Sequence, residues 1–108
     1  MKKFDESYEF LKEMYSDSYF PDFLVDKIKA ELEKVVAFLE TGVTDVERIQ
    51  EKFDTMTLAI NDLQEEFEEN GREIETAARD SIATDVIEIL KWFGIDIDVE
   101  DALGERDW

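Results

Sequence analysis

An unbroken series of three- and four-residue steps between apolar side chains constrains this 108-residue chain most strongly. The series consists of Val46, Ile49, Phe53, Met56, Ile60, Leu63 and Phe67. On an α-helix these steps place every member on one face, because residues three and four apart are neighbours there. A stripe of this length is typical of a helix that packs lengthwise against near-parallel or antiparallel partners. The spacing therefore predicts one long amphipathic helix.

Two further stripes flank the long one. The earlier stripe consists of Leu24, Ile28, Leu32, Val35 and Leu39. The later stripe consists of Ile74, Ala78, Ile82, Val86, Ile89 and Phe93. Pro21 suits a first helical turn, and Gly42 and Gly94 suit helix ends. We therefore predict a helix from about Pro21 to the Thr41-Gly42 stop and another over Glu73–Phe93.

Local signals predict the remaining helix boundaries. Thr44 and Glu47 fit a capping box that starts the long helix, and Asn70-Gly71 ends it. Mixed three- and four-residue spacings over residues 7–16 predict a short N-terminal helix. Near the end of the chain, Asp98 is placed to cap one last short turn of helix.

These elements predict an all-α fold with one domain over residues 1–108. The fold would be an antiparallel bundle of three long helices plus a short N-terminal helix and a short C-terminal helical turn. Tight turns at Gly42 and Gly71 would make successive long helices antiparallel neighbours, with the N-terminal helix or the tail covering the remaining groove. The long stripe could be buried within a monomer or across a homodimer, so both states stay open.

Composition excludes several classes of function. The chain has no His and no Cys, which excludes Ser-His-Asp triads, cysteine nucleophiles and imidazole or thiolate zinc sites. A formal net charge of -18 opposes direct binding to nucleic acid or to an anionic membrane. Asp5, Glu6 and Glu9 interrupt any apolar export signal after Met1-Lys2-Lys3, so we expect a cytoplasmic protein.

The negative charge is concentrated in the second half of the chain. Residues 1–61 hold 14 acidic and 8 basic side chains, whereas residues 62–108 hold 16 and 4. The densest group consists of Asp62, Glu65, Glu66, Glu68, Glu69, Glu73 and Glu75. Such a group is either a solvated helix face or a surface for a basic protein partner, whose association complementary charge accelerates and orients.

The same carboxylates raise the alternative of a metal-dependent enzyme. E-E-x-x-E at Glu65–Glu69 and D-x-x-E at Asp85–Glu88 resemble the magnesium motifs of all-helical nucleotide pyrophosphohydrolases, although the second motif is reversed here. If Gly71 joins antiparallel helices, Glu66 and Asp85 are offset by about 13 Å along the axis, at ~1.5 Å per residue. We therefore expect no catalytic residue, metal site or cofactor. A Mg²⁺ or Mn²⁺ hydrolase acting on a nucleotide-like substrate stays as the alternative, and Asp85 is expected at a helix rim, paired or solvated.

Aromatic side chains cluster around the single proline. They are Tyr8, Tyr15, Tyr19, Phe20 and Phe23. They can fill the core, clasp a loop or anchor a partner, and Tyr19 is the one that we expect to be exposed. The Ser18-Tyr19-Phe20-Pro21 segment resembles the Tyr-Tyr-Pro segment of small acidic four-helix immunity proteins that inhibit bacterial nuclease toxins. That resemblance implies binding roles for Tyr19, Phe20 and Asp22.

A broader resemblance covers most of the chain. It rests on residues 10–15, 19–21, 24–27, 63–71, 75–79 and 106–108. These segments are similar to an uncharacterised family of small acidic bacterial proteins, which implies no particular activity. Our hypothesis is a non-enzymatic, acidic interaction or inhibitor protein with a basic partner. Its candidate binding residues are Tyr19, Phe20, Asp22, Asp62, Glu65, Glu66, Glu69 and Glu73.

Overall fold

The computed structural model describes residues 2–108, and that part of the chain forms helices and loops without any strand. The helices are α1 (Lys12–Tyr15), α2 (Asp22–Leu39), α3 (Val46–Glu69), α4 (Thr76–Phe93) and α5 (Val99–Ala102). The predicted all-α bundle of three long helices, a short N-terminal helix and a short C-terminal turn is confirmed. None of the helices within residues 2–108 has the length and apolar character that a membrane crossing requires.

The centre of the core lies between α2 and α3, which pack along each other. Every member of the predicted α2 stripe is buried. From the α3 stripe, the buried members are Ile49, Phe53, Met56, Ile60 and Phe67. Val46 is instead 52% exposed. The ion pair between Lys27 and Glu66 shows which residues of the antiparallel helices lie opposite each other, and in this register Val46 lies beyond the end of α2.

The C-terminal segment separates α3 from α4. No Cα atom of α3 lies within 8 Å of one in α4, whereas α5 packs on both helices. The Asn61 side chain of α3 holds the segment by donating to the Glu105 carbonyl at 2.8 Å and accepting from the Asp107 N–H at 2.9 Å. The two long helices joined at Gly71 are therefore not direct neighbours, contrary to prediction. The sequence left open whether the N-terminal helix or the tail covers the remaining groove, and the structure places the tail, through α5, against both α3 and α4.

The N-terminal segment forms less helix than the apolar spacing predicts. Only Lys12–Tyr15 is helical, whereas the prediction covered residues 7–16. Leu11 is buried and adopts a left-handed backbone with φ 55°, which stops the helix from extending towards the N-terminus. Before it, the Phe4 ring lies within aromatic contact of four other rings. These rings belong to Tyr8, Phe10, Trp92 and Phe93.

Two helix starts also differ from prediction. Asp45, and not Thr44, caps α3, because the Asp45 carboxylate accepts from the Glu47 N–H at 3.0 Å. Helix α4 starts at Thr76 instead of Glu73, because Glu75 before it has an extended backbone with φ -97° and ψ -171°. Helix α5 begins after Asp98, as predicted, but the Asp98 side chain makes no capping hydrogen bond.

Gly71 terminates α3 through a Schellman motif. The Gly71 N–H donates to the Glu68 carbonyl at 2.9 Å, and the Arg72 N–H donates to the Phe67 carbonyl at 2.8 Å. Gly71 has φ 69°, a left-handed conformation that glycine adopts without steric cost. No atom lies within 4 Å of the place where a Cβ would stand. The requirement for glycine therefore comes from the backbone conformation alone.

We predict that Gly71→Ala lowers the free energy of unfolding by about 1 kcal/mol, because a Cβ disfavours left-handed φ. Gly71→Asn should cost less, since asparagine tolerates this conformation better than alanine. Urea denaturation of the three proteins measures both values. Equal free energies of unfolding for the alanine variant and the wild type would contradict the conclusion that the backbone conformation at position 71 requires glycine.

Candidate functional site

Asp85 of α4 is a carboxylate within the core. It is only 3% exposed. One carboxylate oxygen accepts from the Tyr8 hydroxyl at 2.6 Å, and the other accepts from the Leu11 N–H at 2.7 Å. The sequence placed Asp85 at a helix rim, paired or solvated, and the structure shows it paired and buried. Its position three residues after Ile82 and four before Ile89 was the sequence signal for this location.

Burial dominates the protonation equilibrium of this carboxyl group. It raises the pKa of Asp85 to about 6, with a smaller contribution from the negative charge of Glu88. The hydrogen bonds from Tyr8 and Leu11 oppose the shift, because they stabilise the ionised form. The pKa of the Tyr8 hydroxyl is also raised, first by burial and then by its hydrogen bond to Asp85. Tyr8 is thus held as a neutral hydrogen-bond donor.

A groove of about 740 Å³ opens between the N-terminal segment and α4. We call it the α4 groove. Its walls carry five carboxyl groups and one lysine, together with Tyr8, Ser81 and Thr84. The carboxyl groups belong to Asp5, Glu9, Glu13, Asp80 and Asp85. Sequence reasoning missed this groove, because its two walls lie about 70 residues apart in the chain and the contact that joins them is not local.

The structure brings together the two separate parts of the predicted binding surface. The Tyr19 hydroxyl accepts from the Glu73 N–H, and the Tyr19 carbonyl accepts from Arg72 Nε at 2.6 Å. The Arg72 guanidinium also lies over the Tyr19 ring, 5.2 Å from its centroid. From α2, Lys27 donates to both carboxylate oxygens of Glu66, at 2.7 and 2.5 Å. The aromatic segment and the acidic turn therefore form one end of the bundle.

The exposure of these residues differs from expectation. Tyr19 is half-buried and clasps the turn after α3, and Phe20 is buried. Phe23 is the exposed aromatic of this group, at 50%. Glu66 is paired with Lys27. The remaining predicted acids are exposed, with no ion pair within residues 2–108, and they are Asp22, Asp62, Glu65, Glu69 and Glu73.

The carboxylates of the described residues do not converge on a metal site. Among residues 2–108, no three acidic side chains are grouped so that they could hold a metal ion. Within the motif pair considered above, Glu66 binds Lys27, and both oxygens of Asp85 accept hydrogen bonds from protein donors. These two carboxylates already have protein partners that a metal ion would have to displace.

We predict that stability depends on pH through Asp85. Its pKa lies above the unfolded value of 3.8, so the folded state binds more protons than the unfolded state between that value and about 6. The stabilising contribution is therefore complete below pH ~4 and is lost as the pH rises through ~6, a change of up to about 3 kcal/mol. Relative to Asp85→Asn, which cannot titrate, the wild type should gain stability as the pH falls from about 7 to about 4.

Urea denaturation at a series of pH values and constant ionic strength measures this difference. All other carboxyl groups titrate in both proteins, so subtraction isolates Asp85. Asp80→Asn, at an exposed position in the same groove, is the matched control and should leave the pH profile of the wild type nearly unchanged. A stability difference between wild type and Asp85→Asn that is constant over this range would refute the prediction.

Comparison with known proteins identifies one relationship. A family model described as a family of unknown function, DUF5713, matches residues 4–108. Comparisons with curated proteins and with solved structures found no match. These findings do not support the resemblance to immunity proteins or the expected bacterial source. They do agree with the resemblance to an uncharacterised family. Because the match covers almost the whole chain, the protein belongs to DUF5713, a family of unknown function.

Proposed function

We propose that this protein acts by binding a basic protein, and not by catalysis, through the end of the bundle where α2 begins and α3 ends. We call this surface the acidic end. It consists of Asp22, Phe23, Glu65, Glu69 and Glu73. The single observation that carries the proposal is an exposed aromatic side chain at the end of the bundle whose exposed carboxylates form no ion pair within the described chain.

The register of α2 and α3 supports this grouping. Lys27 and Glu66 form an ion pair across the two helices. Phe23 lies one turn before Lys27 on α2, and Glu69 lies about one turn after Glu66 on α3. Because the helices are antiparallel, these two steps lead to the same end of the molecule. The hydrogen bond between the Glu73 N–H and Tyr19 places Glu73 at that end as well.

This arrangement has the two components of a protein-binding surface. Binding energy in interfaces is concentrated in a few residues, often aromatic ones that become buried, and charged groups around them contribute orientation and association rate. Phe23 can supply the apolar contact. The unpaired carboxylates repel one another, and a partner that carries lysine or arginine would relieve that repulsion.

An inhibitor would be one form of such a binding protein. If the basic surface of the partner is the surface with which it contacts nucleic acid, the acidic end would occupy it. No contact in the structure favours the carboxylate-metal hydrolase, because the described acidic side chains form no group that could hold an ion.

The proposal is tested by capture from an extract of the native cells, followed by affinity measurement with the captured protein. Phe23→Ser should weaken binding about tenfold, a typical loss for a central aromatic contact. Combined Glu65→Gln, Glu69→Gln and Glu73→Gln should slow association and reduce its dependence on salt, because screening acts on exposed charges.

The matched control has the same change of net charge on another face. It combines Glu33→Gln, Glu47→Gln and Glu51→Gln, which are all exposed helical positions. Its binding should stay within about twofold of the wild type. The proposal fails if the control loses as much affinity as the acidic-end variant, or if the captured partner binds Phe23→Ser as well as the wild type.

A further inference from the structure

A second groove, of about 480 Å³, lies between residues 8–16 and α2. We call it the aromatic groove. It shares no residue with the acidic end, and the proposed function does not use it. We propose that the aromatic groove binds a small organic monoanion, namely a carboxylate attached to an aromatic ring. The inference rests on a half-buried lysine without an ion pair, on three aromatic side chains held in place, and on the size of the groove.

Lys29 of α2 is the residue that points to an anion. Its side chain lines the groove, is half-buried and forms no ion pair within residues 2–108. Lys27 and Lys34 of the same helix, in contrast, each pair with a glutamate. Acidic residues outnumber basic ones by 30 to 12 in this chain, yet no described carboxylate pairs with Lys29. Partial burial penalises its charge, and a ligand carboxylate would compensate that penalty.

The side chains that line the groove differ in sign from the chain as a whole. Lys12 and Lys29 line it against one carboxyl group, that of Glu9. Glu9 and Lys12 lie 3.9 Å apart and are 71% and 73% exposed, so their attraction is weak. Lys29 has no such partner and favours an anion. The formal net charge of -18 repels a polyanion more strongly than a monoanion, which restricts the ligand to a single negative charge.

Three aromatic side chains form the apolar part of the groove, namely Tyr8, Phe10 and Tyr15. The hydroxyls of the two tyrosines donate to Asp85 and Asp26, and neither of these carboxylates lines the groove. The Phe10 ring packs edge-to-face against Tyr8, with 5.3 Å between the ring centroids. Because these contacts position the rings before a ligand arrives, little side-chain freedom is lost on binding. An aromatic ligand would gain from stacked or edge-to-face contact with them.

The size of the groove limits the ligand further. A volume of about 480 Å³ lies within the usual range of small-molecule sites. One ring joined by a short linker to a carboxylate can contact both the aromatic side chains and Lys29. A nucleotide carries several negative charges, which one lysine without an ion pair cannot compensate.

Proton–nitrogen correlation NMR during titration with 3-phenylpropionate tests the proposal. At constant ionic strength we expect saturable shifts of the signals of Phe10, Tyr15, Ser16 and Lys29, which line this groove and not the α4 groove. The dissociation constant should be about 1 mM or lower, as for other ligands of this size. 3-Phenylpropylamine has the same ring with a positive charge and should not shift these signals saturably. Hexanoate keeps the carboxylate without the ring and should bind about fivefold more weakly.

Lys29→Gln removes the proposed counter-charge and should weaken the binding of 3-phenylpropionate about threefold to tenfold. Lys34→Gln is the matched control, because it makes the same change of charge on the same helix at a position that does not line the groove. Its affinity should equal that of the wild type.

The proposal is overturned if 3-phenylpropionate does not bind saturably, or if 3-phenylpropylamine or hexanoate binds as tightly. It is also overturned if Lys29→Gln binds 3-phenylpropionate no more weakly than Lys34→Gln does, since that result would leave the half-buried lysine without a role. Because the aromatic groove and the acidic end share no residue, failure here leaves binding at the acidic end unaffected.

Discussion

The hydrogen bonds that Asp85 accepts from Tyr8 and Leu11 tie the N-terminal segment to the helical core. The left-handed backbone of Leu11 costs about 1–2 kcal/mol, and a hydrogen bond to a charged group contributes about 1.5–3 kcal/mol. The two effects are of similar size, so the hydrogen bond from the Leu11 N–H to Asp85 offsets the cost of the left-handed turn. The α4 groove depends on the same contact, because the segment that Asp85 holds forms one of its walls.

The three long helices could be predicted from the sequence, because their buried residues recur every three or four positions. In α2, α3 and α4, most residues of the apolar stripe are buried on one face of the helix. Gly71 and Gly94 both adopt the left-handed conformation that is typical of a glycine at a helix end. These signals are local, since each is carried by residues within one helix or one turn. The fold class could therefore be predicted from the periodicity of the apolar residues. The helices that pack against α4 could not be predicted in this way.

The parts that escaped prediction depend on contacts between distant residues. Tyr8 and Leu11 have helical spacing, yet they bind a carboxylate 77 and 74 residues away, and this contact replaces most of the predicted helix. The sequence predicted that Tyr19 is exposed and could bind a partner, but its hydroxyl and carbonyl accept hydrogen bonds from residues that follow α3. The acidic end was recognised as a charge cluster, whereas Phe23 as its exposed aromatic could be identified only from the packing.

For the binding that we propose, net charge and local shape would determine different properties of the partner. A formal charge of -18 sets the sign of a partner, and it does so for every acidic surface alike. Shape decides the size of the partner. The acidic end presents an exposed phenyl ring among carboxylates, which suits a large surface that can cover both. The α4 groove is concave, and its acidic wall includes the almost fully buried Asp85. The same negative charge is therefore carried by a concave groove at one place and by the surroundings of a protruding ring at the other, so net charge alone cannot make the two surfaces equivalent.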